Sequence, residues 1–243
     1  RKVGDIYYMI YSPKRGSCLA YATSKSPKGP FTYRGVIVDN GEDYPGGNNH
    51  GSICNMNGQW YIFYHRMTNN TVFSRRACVE KIQIFPDGTI PQVKMTSLGF
   101  EEALNPYRQT PADIACIIEG GAFVAERNEF DRVVTNIKNG CVIGYRYFDF
   151  GCDNSSETME FAVKIRGVGC RSRIRIILDD HENGIEIGIC EIGLDDQICR
   201  AVVRNVTGYH AVIFIAEDVS KGWGSQLFQG RQLFEIESFV FTK

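Results

Sequence analysis

The sequence holds 243 residues, 43% of them hydrophobic and 23% charged, with 27 basic against 28 acidic side chains. That length suits one large domain or two ordinary ones, with apolar material for a sizeable core. A net charge of −1 builds no field of one sign, which argues against nucleic acid as a main partner. No apolar run reaches the ~18 residues that span a bilayer, so no membrane role is expected.

Taken from the start, the chain opens on Arg1 without an initiator methionine, and no signal-peptide pattern follows. It reads as a processed product or a piece of a longer protein. The periodicity is strand-like nearly throughout. Strands are expected over 6–11 (IYYMIY), 17–22 (SCLAYA), 60–65 (WYIFYH) and 75–84 (RRACVEKIQI). Others follow at 172–179 (SRIRIILD), 184–189 (GIEIGI) and 234–241 (FEIESFVF). Turn-forming stretches such as SPKGP, PDG and DDHENG separate them. No convincing amphipathic helix is present, so the fold class is all-β.

One repeat is visible. A glycine, Gly4 or Gly58, leads into an aromatic strand, and Tyr8 and Tyr11 match Tyr61 and Tyr64 at a spacing of 53 residues. Recurrence of a small antiparallel sheet at such a period is propeller-like. Near residue 100 the character changes. FEEALNPYRQTPAD (100–113) carries two prolines and no clean alternation, which suggests a linker. About 130 residues of closely spaced strands come after it, as in a β-sandwich. Two domains are therefore expected, 1–100 and 114–243, joined by 101–113.

The nine cysteines are odd in number and none forms a C-x-x-C pair, so no zinc site is indicated. Several sit inside apolar strands, such as Cys78 and Cys190. They read as buried free thiols acting as small hydrophobes, which favours a reducing, cytoplasmic compartment.

Residues 46–53, GGNNHGSI, concentrate bare backbone around one imidazole. The glycines permit close approach of backbone. Asn48 and Asn49 supply amide donors and acceptors. His50 is either a metal ligand or proton carrier, or a histidine hydrogen-bonded within a tight turn.

The stretches GPFTYRGVIVDNG (29–41), GGNNHGSI (46–53), NGQWYIFYHRMT (57–68) and SRRACVEKIQIFPDGTI (74–90) together resemble glycoside hydrolase family 43. The resemblance covers residues 1 to about 98. It implies a five-bladed β-propeller enzyme acting on arabinose- and xylose-containing polysaccharides, of which this chain holds about two blades. By that resemblance His50 stands at the propeller centre, facing a calcium ion or its waters. Arg75, with Arg76 as the second choice, reaches toward the sugar, and Asn49 lines the same region. His65 and Arg66 belong to the F-Y-H-R stretch, where His65 reads as packing. Inverting glycoside hydrolysis needs two carboxyl groups flanking the scissile bond. The resemblance places the family's carboxylates in blades upstream of Arg1. The local acids Asp5, Asp39, Glu42, Asp43, Glu80 and Asp87 read as turn formers or solvated charges. No catalytic residue is assigned within the chain, and the upstream blades are its expected partner.

Residues 114–243 resemble a family 6 carbohydrate-binding module through NGCVIGYRYFDFG (139–151), SRIRIILDDHENGIEIG (172–188), VTGYHAVIF (206–214) and LFEIESFVF (233–241). The implied fold is a jelly-roll β-sandwich that binds saccharide on aromatic rings. Cys141 stands where the family often has a tryptophan. Tyr209 would keep part of a platform. Trp223 is either a second exposed ring or a hydrophobic plug. Glu237 falls near a structural calcium in that family, with Glu119 or Glu126 as its partner. The expectation is part of an inverting arabinofuranosidase or xylosidase. The alternative is a non-catalytic carbohydrate-binding or structural piece.

Overall fold

The computed structural model describes residues 1–14, 16–195, 197–227 and 229–243. The chain divides into two compact units, Arg1–Phe100 and Glu101–Lys243. Among the described residues no helix is long and apolar enough to cross a membrane.

The first unit contains two antiparallel meanders. One sheet runs in chain order through β1 (Lys2–Val3), β2 (Ile6–Tyr11), β3 (Cys18–Ser24) and β4 (Thr32–Asp39). The other runs through β5 (Ser52–Met56), β6 (Gln59–Thr68) and β7 (Thr71–Ile82). The repeat seen in sequence is structural. Gly4 turns β1 into β2, and Gly58 turns β5 into β6, at φ of +56° and +89°, where an L side chain is strained. Each sheet is thus one blade of a β-propeller.

The core of this unit is built from Leu19, Tyr21, Ile37, Val38, Ile53 and Ile62, all at most 1% exposed. The segment after β7 is stitched back onto the sheets by its backbone. Ile90 N–H donates to the Tyr21 hydroxyl at 2.8 Å, and Tyr8 donates to the Gly88 carbonyl at 2.9 Å. Val93 N–H donates to the Ile37 carbonyl at 2.8 Å. Tyr8 and Tyr21 stack at 6.3 Å. Aromatic strand residues therefore serve twice, as buried area and as hydrogen-bond anchors for the connecting loop.

The second unit is a two-sheet sandwich. One sheet pairs β10 (Phe123–Glu126), β11 (Arg132–Ile137), β18 (Phe234–Thr242), β13 (Thr158–Gly167) and β16 (Gln197–Arg204) in that order, with β8 (Thr110–Pro111) also on β18. The facing sheet pairs β15 (Ile185–Ile192), β14 (Ser172–Leu178), β17 (Tyr209–Asp218), β12 (Val142–Asp149) and β9 (Ile117–Ile118). Alternate residues point inward. Phe161, Phe239 and Phe241 from one sheet interdigitate with Tyr145 and Phe214 from the other. Ring centres lie 4.7 Å apart for Tyr145–Phe239 and 4.9 Å for Phe214–Phe239, within the range of favourable edge and tilted contacts. One short helix, α1 (Trp223–Leu227), lies between β17 and β18.

Residues 101–113, expected as a linker, are part of the second unit. Leu104 N–H donates to the Tyr147 carbonyl at 2.8 Å, and β8 pairs Thr110 with Phe239. The prolines mark an irregular path along the sandwich, with backbone groups that pair, and not a free tether.

All nine cysteines are free. Six are buried, Cys54 and Cys78 are half-buried and Cys152 is exposed. Cys141 lies in the core, its thiol donating to the Gly120 carbonyl at 3.2 Å. A Cβ on Gly120 would meet the Cys141 Cα at 2.9 Å. This tight contact leaves no room for a tryptophan there.

Candidate functional site

The glycines of 46–53 are explained by steric approach. A Cβ on Gly51 would lie 2.2 Å from the Phe63 carbonyl oxygen and 2.4 Å from Leu19 Cδ1. A Cβ on Gly47 would lie 2.3 Å from Met67 Sδ. The loop is pressed onto β6, and only bare backbone fits.

Asn49, expected to face substrate, is instead a brace. It is 1% exposed. Its Nδ2 donates to the Ser17 carbonyl at 3.1 Å and to Asn40 Oδ1 at 2.9 Å. Its Oδ1 accepts from His65 N–H at 3.4 Å, and the Ser12 hydroxyl donates to its carbonyl. Asn40 Nδ2 donates to the His65 carbonyl at 2.5 Å. Two buried amides thus tie the loop to both meanders. A buried amide is retained because its donors and acceptors are paired.

The loop brings two histidines together. His50 is exposed and His65 half-buried, and their rings stack at 5.5 Å. The His50 backbone N–H donates to His65 Nδ1 at 3.3 Å. That lone pair is therefore in use, and the ring proton sits on Nε2, which is 3.4 Å from Asn48 Oδ1. Burial, then the positive charge of Arg75 and the neighbouring His50, hold His65 below its ordinary value of 6.5. A neutral Nε2–H tautomer satisfies all of these observations.

Register separates the two arginines. His65 pairs with Ala77 and Met67 with Arg75, while Arg66 pairs with Arg76. Side chains alternate across a strand, so Arg75 shares the His65 face and Arg76 shares the Arg66 face. Arg75 is exposed, its Nε donating to the Val72 carbonyl at 2.9 Å. Arg66 is buried, with its guanidinium 5.3 Å over the Tyr44 ring. The structure therefore brings together His50, His65, Arg75 and Asn48. Sequence reasoning treated His65 as packing and singled out Asn49 instead of Asn48.

Glu80, read as a solvated charge, is 5% exposed. Its Oε1 accepts from the Tyr64 hydroxyl at 2.9 Å and from Thr96 N–H at 2.8 Å. Its Oε2 accepts from the Thr96 hydroxyl at 2.6 Å. Glu42 accepts from Gln92 at 2.6 Å, Asp39 caps Gly41 N–H and Asp87 binds Thr89. The roles seen for these acids are structural.

In the sandwich, Tyr209 is 50% exposed. It stacks on Tyr147 at 5.0 Å and donates to the Glu102 carbonyl at 3.2 Å. Trp223 is 84% exposed on α1, so it is not a hydrophobic plug. Tyr209 begins β17, and Trp223 follows its end. At about 3.3 Å per residue the strand spans roughly 30 Å between Tyr209 and Asp218, which puts the two rings at opposite ends of β17.

Glu237 is engaged by cations, neither by Glu119 nor by Glu126. Lys164 Nζ lies 2.5 Å from its Oε2 and Arg166 Nε 2.7 Å from its Oε1. Burial raises its pKa, but those two cations outweigh it and hold the carboxyl below 4.5. Calcium takes several oxygen ligands. Among the described residues no group of three or more His, Cys, Asp or Glu is placed to hold a metal. Neither Glu237, held by two cations, nor the imidazole-rich cluster at His50 fits calcium as a ligand set.

Sequence and structure comparisons bear on both units. Residues 1–90 match the model of glycosyl hydrolases family 43. A xylosidase/arabinosidase of Thermoclostridium stercorarium is 41% identical over 207 residues, covering 70% of this chain and 42% of that protein. An arabinoxylan arabinofuranohydrolase of Paenibacillus polymyxa is 28% identical over 249 residues, covering 92% of this chain and 36% of that protein. A solved family 43 arabinoxylan arabinofuranohydrolase from Bacillus subtilis, in complex with cellotetraose, aligns with 100% of this chain and 53% of its own. Its TM-score is 0.55 at 25% identity. The chain thus spans less than half the length of these two curated relatives.

Proposed function

Because the chain belongs, through residues 1–90, to glycosyl hydrolases family 43, we propose that it works as part of a glycoside hydrolase. The enzyme acts on arabinose- or xylose-containing polysaccharides and releases arabinofuranosyl or xylosyl groups with inversion. The supporting observation is that similarity to a xylosidase/arabinosidase extends over 70% of the chain, beyond the propeller unit.

Inversion requires one carboxylic acid to protonate the leaving oxygen and one carboxylate to activate water on the opposite face. Glu80, Glu42, Asp39 and Asp87 are engaged in structural hydrogen bonds. The catalytic pair in this reading comes from outside the chain. What this chain contributes is a fixed wall. Arg75 supplies a permanent cation on the His65 face, suited to sugar hydroxyls or to a developing negative charge. His50 presents an imidazole edge, and the buried Asn40–Asn49 brace holds the loop in place. The sandwich adds saccharide affinity in the manner of a family 6 carbohydrate-binding module, with Tyr209 and Trp223 as separate exposed rings.

Hydrolysis of nitrophenyl arabinofuranoside and nitrophenyl xyloside tests this. The 243-residue chain alone should be inactive. A fusion placing the first three blades of a family 43 enzyme before it should be active, and Arg75→Ala should lower its kcat/KM. Activity of the chain alone, or an inactive but folded fusion, would overturn the reading. The second reading, saccharide binding without catalysis, rests on the structural use of the local acids and predicts binding with no turnover in either form.

A further inference from the structure

The β6–β7 hairpin carries an insertion that packing does not explain. Met67 pairs with Arg75, yet the next residue of β6, Thr68, pairs with Thr71. Val72, Phe73 and Ser74 are thus extra residues on β7, a bulge directly before Arg75. They add little to the core, since Val72 is 42% and Phe73 91% exposed. A bulge bends its strand and re-aims the side chain beside it. Here that side chain is the cation on the His65 face. The turn at the tip is set by Asn69 and Asn70, at φ of +54° and +51°, the left-handed pair that a tight hairpin uses.

Side chains tie the bulge down. Ser74 Oγ lies 2.7 Å from Thr68 Oγ1 and accepts from Asn69 Nδ2 at 3.0 Å. Thr68 is 1% exposed, so the first contact anchors the bulge to the buried part of β6. Phe73 N–H donates to Thr71 Oγ1 at 3.3 Å. Arg75 itself closes the loop, its Nε donating to the Val72 carbonyl at 2.9 Å.

That last bond decides how the cation is presented. Arg75 is exposed, and a free arginine side chain has many rotamers to lose when a visitor fixes it. The guanidinium is planar, so a bond from Nε to a fixed carbonyl orients the whole fork. The N–H donors on Nη1 and Nη2 remain for another group. The Val72 carbonyl is fixed only as far as the bulge is, and the bulge is held by one hydroxyl with two contacts.

We propose that Ser74 is a positioning residue for Arg75. Its hydroxyl pins the bulge to Thr68 and Asn69, and the pinned bulge holds out the Val72 carbonyl that orients the guanidinium. The gain is preorganisation, because less ordering is left for the moment of binding. That the oriented cation serves glycoside cleavage rests on the enzyme reading above.

Nitrogen-15 NMR of the arginine side chains in the 243-residue chain tests the clamp without any turnover. Arg75 Nε–H, identified by its loss in Arg75→Lys, should exchange slowly with water. Ser74→Ala should speed that exchange about fivefold or more, as expected for the loss of a hydrogen bond. Ser74→Thr keeps the hydroxyl and should restore slow exchange. Backbone amide signals of β6 and β7 report whether each variant keeps the hairpin. Should Ser74→Ala lose it, Asn69→Ala, which removes one contact to the same hydroxyl, takes its place with the same expected direction. Exchange in the variant within about twofold of the parent, or no slowed Nε–H in the parent, would overturn the proposal. In the active fusion, Ser74→Ala should lower kcat/KM about fivefold beside Arg75 and by less than about twofold in the Arg75→Ala background, because residues that act as one unit are not additive. Losses that multiply would mean that Ser74 acts without Arg75, which also overturns it. A folded but inactive fusion would defeat the enzyme reading, while the exchange measurement still decides the clamp.

Discussion

The backbone N–H of His50 donates to Nδ1 of His65 across 3.3 Å, and the two rings stack at 5.5 Å. This contact fixes which nitrogen of His65 holds the proton; the environment of the ring sets a pH dependence. The folded pKa lies below 6.5 through burial, Arg75 and His50. Between that lowered value and 6.5 the unfolded chain binds more protons than the folded one. The contribution of His65 to stability is therefore complete above 6.5 and is lost as pH falls toward the folded value. A proton-carbon NMR titration should give His65 a midpoint below 6.5, and His65→Phe should remove this component of the pH–stability curve. A midpoint at or above 6.5 would contradict the lowering by burial and Arg75.

Asn49→Ala removes the brace between the loop and both meanders. It leaves the Ser17 carbonyl, the Asn40 amide and His65 N–H without their present partner. Each unsatisfied buried group costs about 1–3 kcal/mol, so a total loss of about 3 kcal/mol is expected in urea unfolding. Asn49→Asp should also destabilise, because it replaces a double donor with an acceptor. A loss under about 0.5 kcal/mol would show that the loop is not held by this side chain.

Glu80→Ala should cost about 3 kcal/mol, because the buried Tyr64 hydroxyl and both Thr96 donors lose their acceptor. Glu80→Gln should cost less. Burial, then the charge of Glu80, pushes Tyr64 well above 10. Spectrophotometric titration should therefore show Tyr64 ionising only on unfolding. If Glu80 were a catalytic acid or base, Glu80→Gln in the active fusion would abolish turnover without changing stability.

Chelation separates ion pairing from metal binding in the sandwich. With Lys164 and Arg166 on its two oxygens, Glu237 needs no calcium. EDTA should leave the Tm of the chain unchanged, and added calcium should not raise it. Glu237 has its folded pKa held below 4.5. Its contribution is full above 4.5 and is lost as pH falls through the folded value. A Tm increase of several degrees with calcium, abolished by Glu237→Gln, would refute this.

Thiol accessibility gives an independent check on packing. Cys152 is exposed, while burial, with Cys199 and Glu191 nearby, pushes Cys190 up to about 12. The thiolate is the reactive species. Under native conditions an aromatic disulfide reagent should label Cys152 fast and Cys190 only with unfolding. Fast loss of reactivity in Cys190→Ala would contradict the buried placement.

Local chemistry made most of the fold readable. Alternating aromatic and β-branched residues located β2 at 6–11 without error and placed the other expected strands within a few residues. The glycines at 4 and 58 announced equivalent turns because positive φ leaves little choice of residue. What sequence hid was long-range pairing. That Asn49 turns inward and Asn48 meets His65 depends on how the loop lies over β6, which no local pattern encodes. Glu80 looked like a surface charge because its acceptors' partners, Tyr64 and Thr96, lie 16 positions away on either side. The choice of Arg75 over Arg76 required the β6–β7 register. The linker reading failed because prolines signal irregular backbone, which a packed segment can also contain.

The two imidazoles at the loop differ in what they leave open. Both ring nitrogens of His65 are engaged, one by backbone and one by Asn48. A group committed in this way exchanges protons poorly, since each transfer must first break a contact that positions the loop. His50, stacked on that rigid neighbour, offers its ring edge to solvent. Anything arriving in front of residues 46–53 therefore meets a single oriented imidazole on a stiff backing. Such a surface anchors a visitor in one pose and is poorly suited to relaying hydrogen ions.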